Sequence, residues 1–180
     1  LQDFVLTRFL RMNRSAFRSK TLSPLDPCHR AGEDRGLATG DPMTHPFERH
    51  HAIVIAAQPA AVFDYVTNPK SWPEWLPSSH HIDCDDRPMR FGDTFHEHWS
   101  TRTGKVELDW LVIACTPAKV WIGLTQTSFM GPVVVQYDCE SVEGGTRFTR
   151  TLRNPARPKP PSAEVIERMD QEARLGLEAI

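Results

Sequence analysis

From Thr94 to Leu152 the chain alternates apolar and polar residues, and nearly every break in the alternation is a turn signal. Thr94–Thr101 sets Phe95, Glu97 and Trp99 against His96, His98 and Ser100. After Gly104, Val106, Leu108, Trp110 and Val112 alternate with Glu107 and Asp109. Thr116-Pro117 ends that run, and Val120, Ile122 and Leu124 form the next inward set. Val133, Val135, Tyr137 and Cys139 then oppose Gln136, Asp138 and Glu140. Past the Gly144-Gly145 hairpin signal, Phe148, Arg150 and Leu152 oppose Arg147, Thr149 and Thr151. A period of two means half-buried strands, and tight turns between them mean antiparallel pairing. Such a sheet has one apolar face to cover.

The flanking sequence supplies the cover. His51–Ala56 reads as a first strand, and Pro59 opens a short helix whose Val62, Phe63 and Val66 share a face. Asn68-Pro69 ends it. Ser71 is placed to cap a second short helix that carries Trp72, Trp75 and Leu76 on one side. Ser79–Asp85 is a further candidate strand. Beyond the proline-rich stretch Asn154–Pro161, Ser162 caps a long helix with Val165, Met169, Leu175 and Ile180 on its apolar side, flanked by Ile166 and Leu177. The expected class is α+β. One helix covers only part of a curved sheet of about six or seven strands, so the uncovered interior becomes a cavity.

Several functions are excluded early. Lys plus Arg total 21 against 23 Asp plus Glu, for a net charge of -2, which argues against a nucleic-acid partner. No apolar run reaches the roughly 18 residues of a membrane span. The four cysteines form no C-x-x-C pair and read as free thiols of a reducing cytoplasm. G-x-S-x-G, P-loop, H-E-x-x-H and G-x-G-x-x-G patterns are missing, and no cofactor is expected. His96 and His98 form an H-x-H pair, with His80, His81 or Asp83 as third ligand, but alternation turns both histidines to the solvated face, so no metal is expected.

Residues 1–43 read as a poorly structured extension. Arg8, Arg11, Arg14, Arg18 and Lys20 beside Phe4, Phe9 and Leu10 also fit an amphipathic targeting helix, and a start at Met43 is an alternative. The patterned domain covers 44–180.

The segment Ile53–Val66, with Ala57-Gln58-Pro59 before Val62-Phe63, followed by Asn68-Pro69 and Trp72-Pro73-Glu74-Trp75, resembles the opening of a START-like domain. This is the SRPBCC superfamily of polyketide cyclases, dehydrases and lipid-transport proteins. Phe91-Gly92-Asp93-Thr94-Phe95, Cys115-Thr116-Pro117 and Gly144-Gly145-Thr146 match its punctuation in order. The resemblance implies a helix-grip fold, in which a curved antiparallel sheet grips the C-terminal helix around a deep pocket. It also implies a small, mainly hydrophobic ligand: a lipid, a polyketide, a quinone or another aromatic compound. The chain stops at Ile180, early for the family's terminal helix, which would leave the lid short.

The expected ligand-binding residues are Trp75, Phe95, Glu97, Trp99, Leu108, Trp110, Ile122, Leu124, Val135, Tyr137, Phe148 and Arg150. Glu97 and Arg150 are charges on an apolar face, where a charge needs a partner or a polar ligand group. With Tyr137 and Trp110 Nε1 they would orient the ligand; a structural ion pair is the alternative. Catalysis, in a cyclase, aromatase or dehydratase reading, would use Glu97, Tyr137 and Arg150. A co-chaperone-like interaction module is the further alternative, and a homodimer is a possible assembly.

Overall fold

The computed structural model describes residues 43–180, apart from 102 and 103. The Arg-rich segment, Cys28 and, Met43 aside, the extension assigned to 1–43 therefore lie outside the described residues. Within them the order is β1 (Phe47–Ile55), α1 (Pro59–Val66), a 3-10 turn (Pro69–Ser71), α2 (Trp72–Trp75), β2 (Ser79–Asp83), β3 (Thr94–Thr101), β4 (Gly104–Thr116), β5 (Val120–Thr127), β6 (Gly131–Val142), β7 (Gly145–Asn154) and α3 (Ala163–Glu178).

The seven strands form one antiparallel sheet in the order β1-β7-β6-β5-β4-β3-β2. Hairpins join β3 through β7, and the first strand closes on the last. β1 starts at Phe47, four residues before the apolar run suggested. The reason is its partner: Phe47 pairs with Asn154 and Arg49 with Leu152, so β7 extends the ladder through residues without an apolar signal of their own.

Registers define the inner face, toward α3. His51, Arg150, Tyr137 and Trp121 lie in one cross-strand row, and Leu152, Val135, Gly123 and Val112 in the next. Trp121, Gly123 and Thr125 thus point inward. Ile122 and Leu124, expected inside, point the opposite way, and both are buried there. In an apolar central strand buried on both faces, composition does not show the phase.

Two short elements plug one end of the inner face. Val62, Phe63 and Val66 of α1 are buried as predicted. Ser71 makes no cap bond to α2. Its Oγ lies 2.7 Å from Tyr65 O and 2.9 Å from Asn68 O, and accepts from Trp75 Nε1 at 3.3 Å. Ser71 therefore fastens α2 to α1 instead.

Ser162 Oγ does cap α3, accepting from Val165 N at 3.3 Å. The helix buries Ala173, Gly176 and Leu177, whereas Leu175, expected on the apolar side, is 55% exposed. Two contacts fix this rotation. Asp170 holds Arg49 and His51 of β1, and a Cβ on Gly176 would lie 2.4 Å from Trp75 O, so only glycine lets α3 approach α2 so closely. No helix among the described residues is long and apolar enough to cross a membrane.

Candidate ligand site

The end of the inner face under α2 is built from rings. Trp72 meets Phe95, Trp110, Trp121 and Tyr137 edge-on, with centroids 5.4 to 6.3 Å apart. Trp75 meets Tyr137 and Phe148 in the same way, and Trp121 stacks on Tyr137 at 5.2 Å. Such pairs each add roughly 0.5–1.5 kcal/mol beyond the area they bury. The indole N–H groups are also engaged: Trp72 donates to Val66 O at 2.9 Å and Trp121 to Met89 O at 3.2 Å. Gly123 leaves room for this packing, since a Cβ there would lie 2.5 Å from Trp121 Cη2 and 3.3 Å from Trp110 Cε3. Of the expected ligand-binding residues, Trp75, Phe95, Trp110, Tyr137 and Phe148 therefore touch one another or the rings of Trp72 and Trp121. The chain's own side chains occupy that part of the expected hollow.

The polar residues collect beside the rings. Trp110 Nε1 donates to Glu97 Oε2 at 2.8 Å, and Glu97 is only 5% exposed. Tyr137 is fully buried and bonded to Arg150. Burial pushes its hydroxyl far above the usual phenol range, Arg150 opposes that shift, and the Glu97 charge adds to it. The hydroxyl stays protonated at neutral pH and can still donate. Glu97, Tyr137 and Arg150 thus share one electrostatic neighbourhood.

Arg150 has a further property. Its Nε is buried and finds no hydrogen-bond partner among the described residues, and the same holds for Thr125 Oγ1. Both lie on the inner face, Arg150 between His51 and Tyr137, Thr125 between Trp110 and Val133. Buried polar atoms left unpaired are uncommon and costly.

His51 links this centre to α3. A carboxylate only accepts, so His51 Nε2 carries the proton it shares with Asp170 Oδ1 at 2.9 Å. Burial lowers the His51 pKa, Arg150 and Arg49 lower it further, and Asp170 works against them. Arg49 grips the same carboxylate through Nε at 2.9 Å and through Nη2, which holds Asp170 below the usual carboxylate range. An open groove of about 380 Å³ runs between β1 and the last turns of α3, lined by His51, Ala52, Ile53, Arg174, Leu177 and Glu178.

Leu108 and Val135 are buried in the same core as the rings, and Trp99, only half-buried, packs against it. Sequence reasoning missed Trp72, Trp121, Thr125 and His51. The first polar residue after the apolar run Val120–Leu124 was a usable signal for Thr125. Trp121 was hidden by the strand's phase, and His51 depends on the long-range pairing of β1 with β7.

The family model for polyketide cyclase / dehydrase and lipid transport matches residues 47–180. Ara h 8.0201 superposes with a TM-score of 0.57 at 13% identity, covering 75% of this chain and 95% of that one. StfQ, a di-domain ARO/CYC from the steffimycin biosynthetic pathway, gives 0.58 at 10% identity, with 74% of this chain and 49% of that one covered. Mll3558 from Rhizobium loti gives 0.58 at 17% identity, covering 76% and 96%. At such identities these likenesses show the fold: START-like, of the helix-grip type. No curated protein matches by sequence.

Proposed function

The chain belongs to the polyketide cyclase / dehydrase and lipid transport family, and from that premise we propose that it binds a small, mainly hydrophobic molecule between the inner face of the sheet and α3. The observation that carries this reading is the unpartnered, buried Nε of Arg150 beside the protonated hydroxyl of Tyr137. Both groups donate. The ligand's polar end is therefore an acceptor: a carbonyl, a quinone oxygen or a carboxylate. Its apolar part lies against Leu152, Val135, Leu108 and Trp99. The groove beside α3 supplies the entrance, because its wall includes His51, the cross-strand partner of Arg150. The free thiols of Cys84, Cys115 and Cys139 suit a reducing, cytoplasmic setting.

Native mass spectrometry of the purified chain, with solvent extraction of any retained compound, tests the proposal. A retained apolar compound bearing an acceptor oxygen supports it. Oleate and its methyl ester provide a defined probe pair. Saturable binding of oleate that Arg150→Met weakens by about tenfold or more, some 1.4 kcal/mol, is the expected result. Equal affinity in wild type and variant would remove Arg150 from the site.

A second reading is favoured by the same pair. A buried, protonated phenol next to a guanidinium can stabilise charge developing on a carbonyl oxygen, as a cyclase or dehydratase requires. Turnover separates the two: a carrier releases its ligand chemically unchanged.

A further inference from the structure

The outer face of the sheet gathers histidines and carboxylates that the inner site does not use. Pairing places His81 opposite His98 and Asp83 opposite His96. It also places His98 opposite Glu107 and His96 opposite Asp109. Two rows of three titratable groups thus cross β2, β3 and β4. Alternation does turn His96 and His98 outward, as expected. It does not show that the edge strand brings further ligands to the same place.

We propose that His81, Asp83 and His98 form a binding site for a divalent transition-metal ion. One Asp83 oxygen lies 2.8 Å from His81 Nε2 and the other 3.0 Å from His98 Nε2. The ligand atoms all lie within 4.8 Å of one another. An ion bonded at about 2.0–2.2 Å separates its ligands by roughly 3–4 Å, so small side-chain rotations suffice. Two imidazoles and one carboxylate suit zinc, cobalt, nickel or copper better than calcium or magnesium. To ligate, each imidazole moves its proton from Nε2 to Nδ1. For His98 that Nδ1 faces Glu107 Oε1 at 3.9 Å, which places a carboxylate behind a metal-binding histidine. Asp83, Glu107 and Asp109 add negative charge that attracts a cation.

A second set, His96, His98 and Glu107, shares His98, so the two sets compete for one ion. In that set His96 Nδ1 binds Asp109 Oδ1 at 2.8 Å and leaves Nε2 to ligate, but Nε2 lies 4.0 Å from Glu107 Oε2 and His98 Nδ1 3.9 Å from Glu107 Oε1. The Asp83 set is the tighter one. His81 and Asp83 have side chains 63% and 58% exposed, so an ion there keeps water in its remaining positions and substitutions leave the core untouched.

The test is calorimetric titration of zinc into the untagged, chelator-stripped full chain, with cobalt absorption reporting coordination. Saturable binding of about one equivalent is expected. His81→Ala, Asp83→Asn and His98→Ala should each weaken it by at least about 10-fold, the lower end of what even indirect ligand partners contribute. His50→Ala, at an exposed histidine on β1, should leave it unchanged, and circular dichroism confirms that each variant is folded. No saturable binding overturns the proposal, as does binding insensitive to His81 and Asp83. Loss in His98→Ala alone would move the ion to the His96 and Glu107 set and overturn the assignment.

Discussion

The rings under α2 and the polar centre beside α3 are built on the same strands, yet they satisfy opposite requirements. Under α2, Trp72, Trp75, Trp121 and Tyr137 fill the space, and the indole N–H groups of Trp72, Trp75 and Trp121 reach acceptors. Beside α3, Arg150 Nε is buried without a partner, and an open groove leads to His51. A region whose indole donors all reach acceptors contributes stability and leaves a guest little to complete. A region with unpaired buried donors carries a local cost that a bound acceptor relieves. Tyr137 joins the two, with its ring in the stack and its hydroxyl on Arg150.

Substitutions should separate these regions. Trp72→Ala removes the ring that touches four others and should destabilise the chain by about 3–5 kcal/mol in urea unfolding. A cost near zero would mean that the rings do not carry the stability assigned to them. Gly123→Ala comes next. Its Cβ meets a Trp121 ring that is stacked on Tyr137 and tied to Met89, so overpacking should cost about 1–3 kcal/mol.

Arg150→Met should cost about 1–3 kcal/mol, because it leaves the buried Tyr137 hydroxyl without the guanidinium it bonds, while oleate affinity falls. A large stability loss with unchanged affinity would make Arg150 a structural residue and erase the contrast.

The smallest effect concerns pH. The folded His51 pKa lies below its ordinary 6.5, so the unfolded chain binds the extra proton first. Its stabilising contribution is complete above about 6.5 and is lost as pH falls through the folded value. The depressed Asp170 acts in the same direction at lower pH, beneath its ordinary 3.8. Thermal melts of wild type and His51→Gln between pH 7.5 and 5.5 should show a shallower acid loss in the variant. Identical slopes would show that His51 does not couple α3 to the centre.

Much of the fold was legible from local pattern. Alternation through most of Thr94 to Leu152 and the glycine turns specify hairpins, and Pro59 and Ser162 mark helix starts that the structure keeps. The opening motif through Trp75 carried the family. Errors fell where local pattern is degenerate. Ile122 and Leu124 looked inward because a strand buried on both faces has no polar side to set its phase. Leu175 looked buried because an amphipathic stripe does not register a glycine that must approach Trp75 O. Glu97, Tyr137 and Arg150 could be named in advance, since a charge among inward apolar residues is visible in one strand.

Sequence alone determined the antiparallel hairpins, the short helices and the presence of charges on an apolar face, because each depends on neighbours a few residues apart. Tertiary structure decided that Trp72 and Trp121 fill one end of that face, that His51 stands beside Arg150, and that His81 joins His98 across the edge strand. These are meetings of residues distant in the chain. They depend on register and on the close approach of helices, and local periodicity carries no information about either.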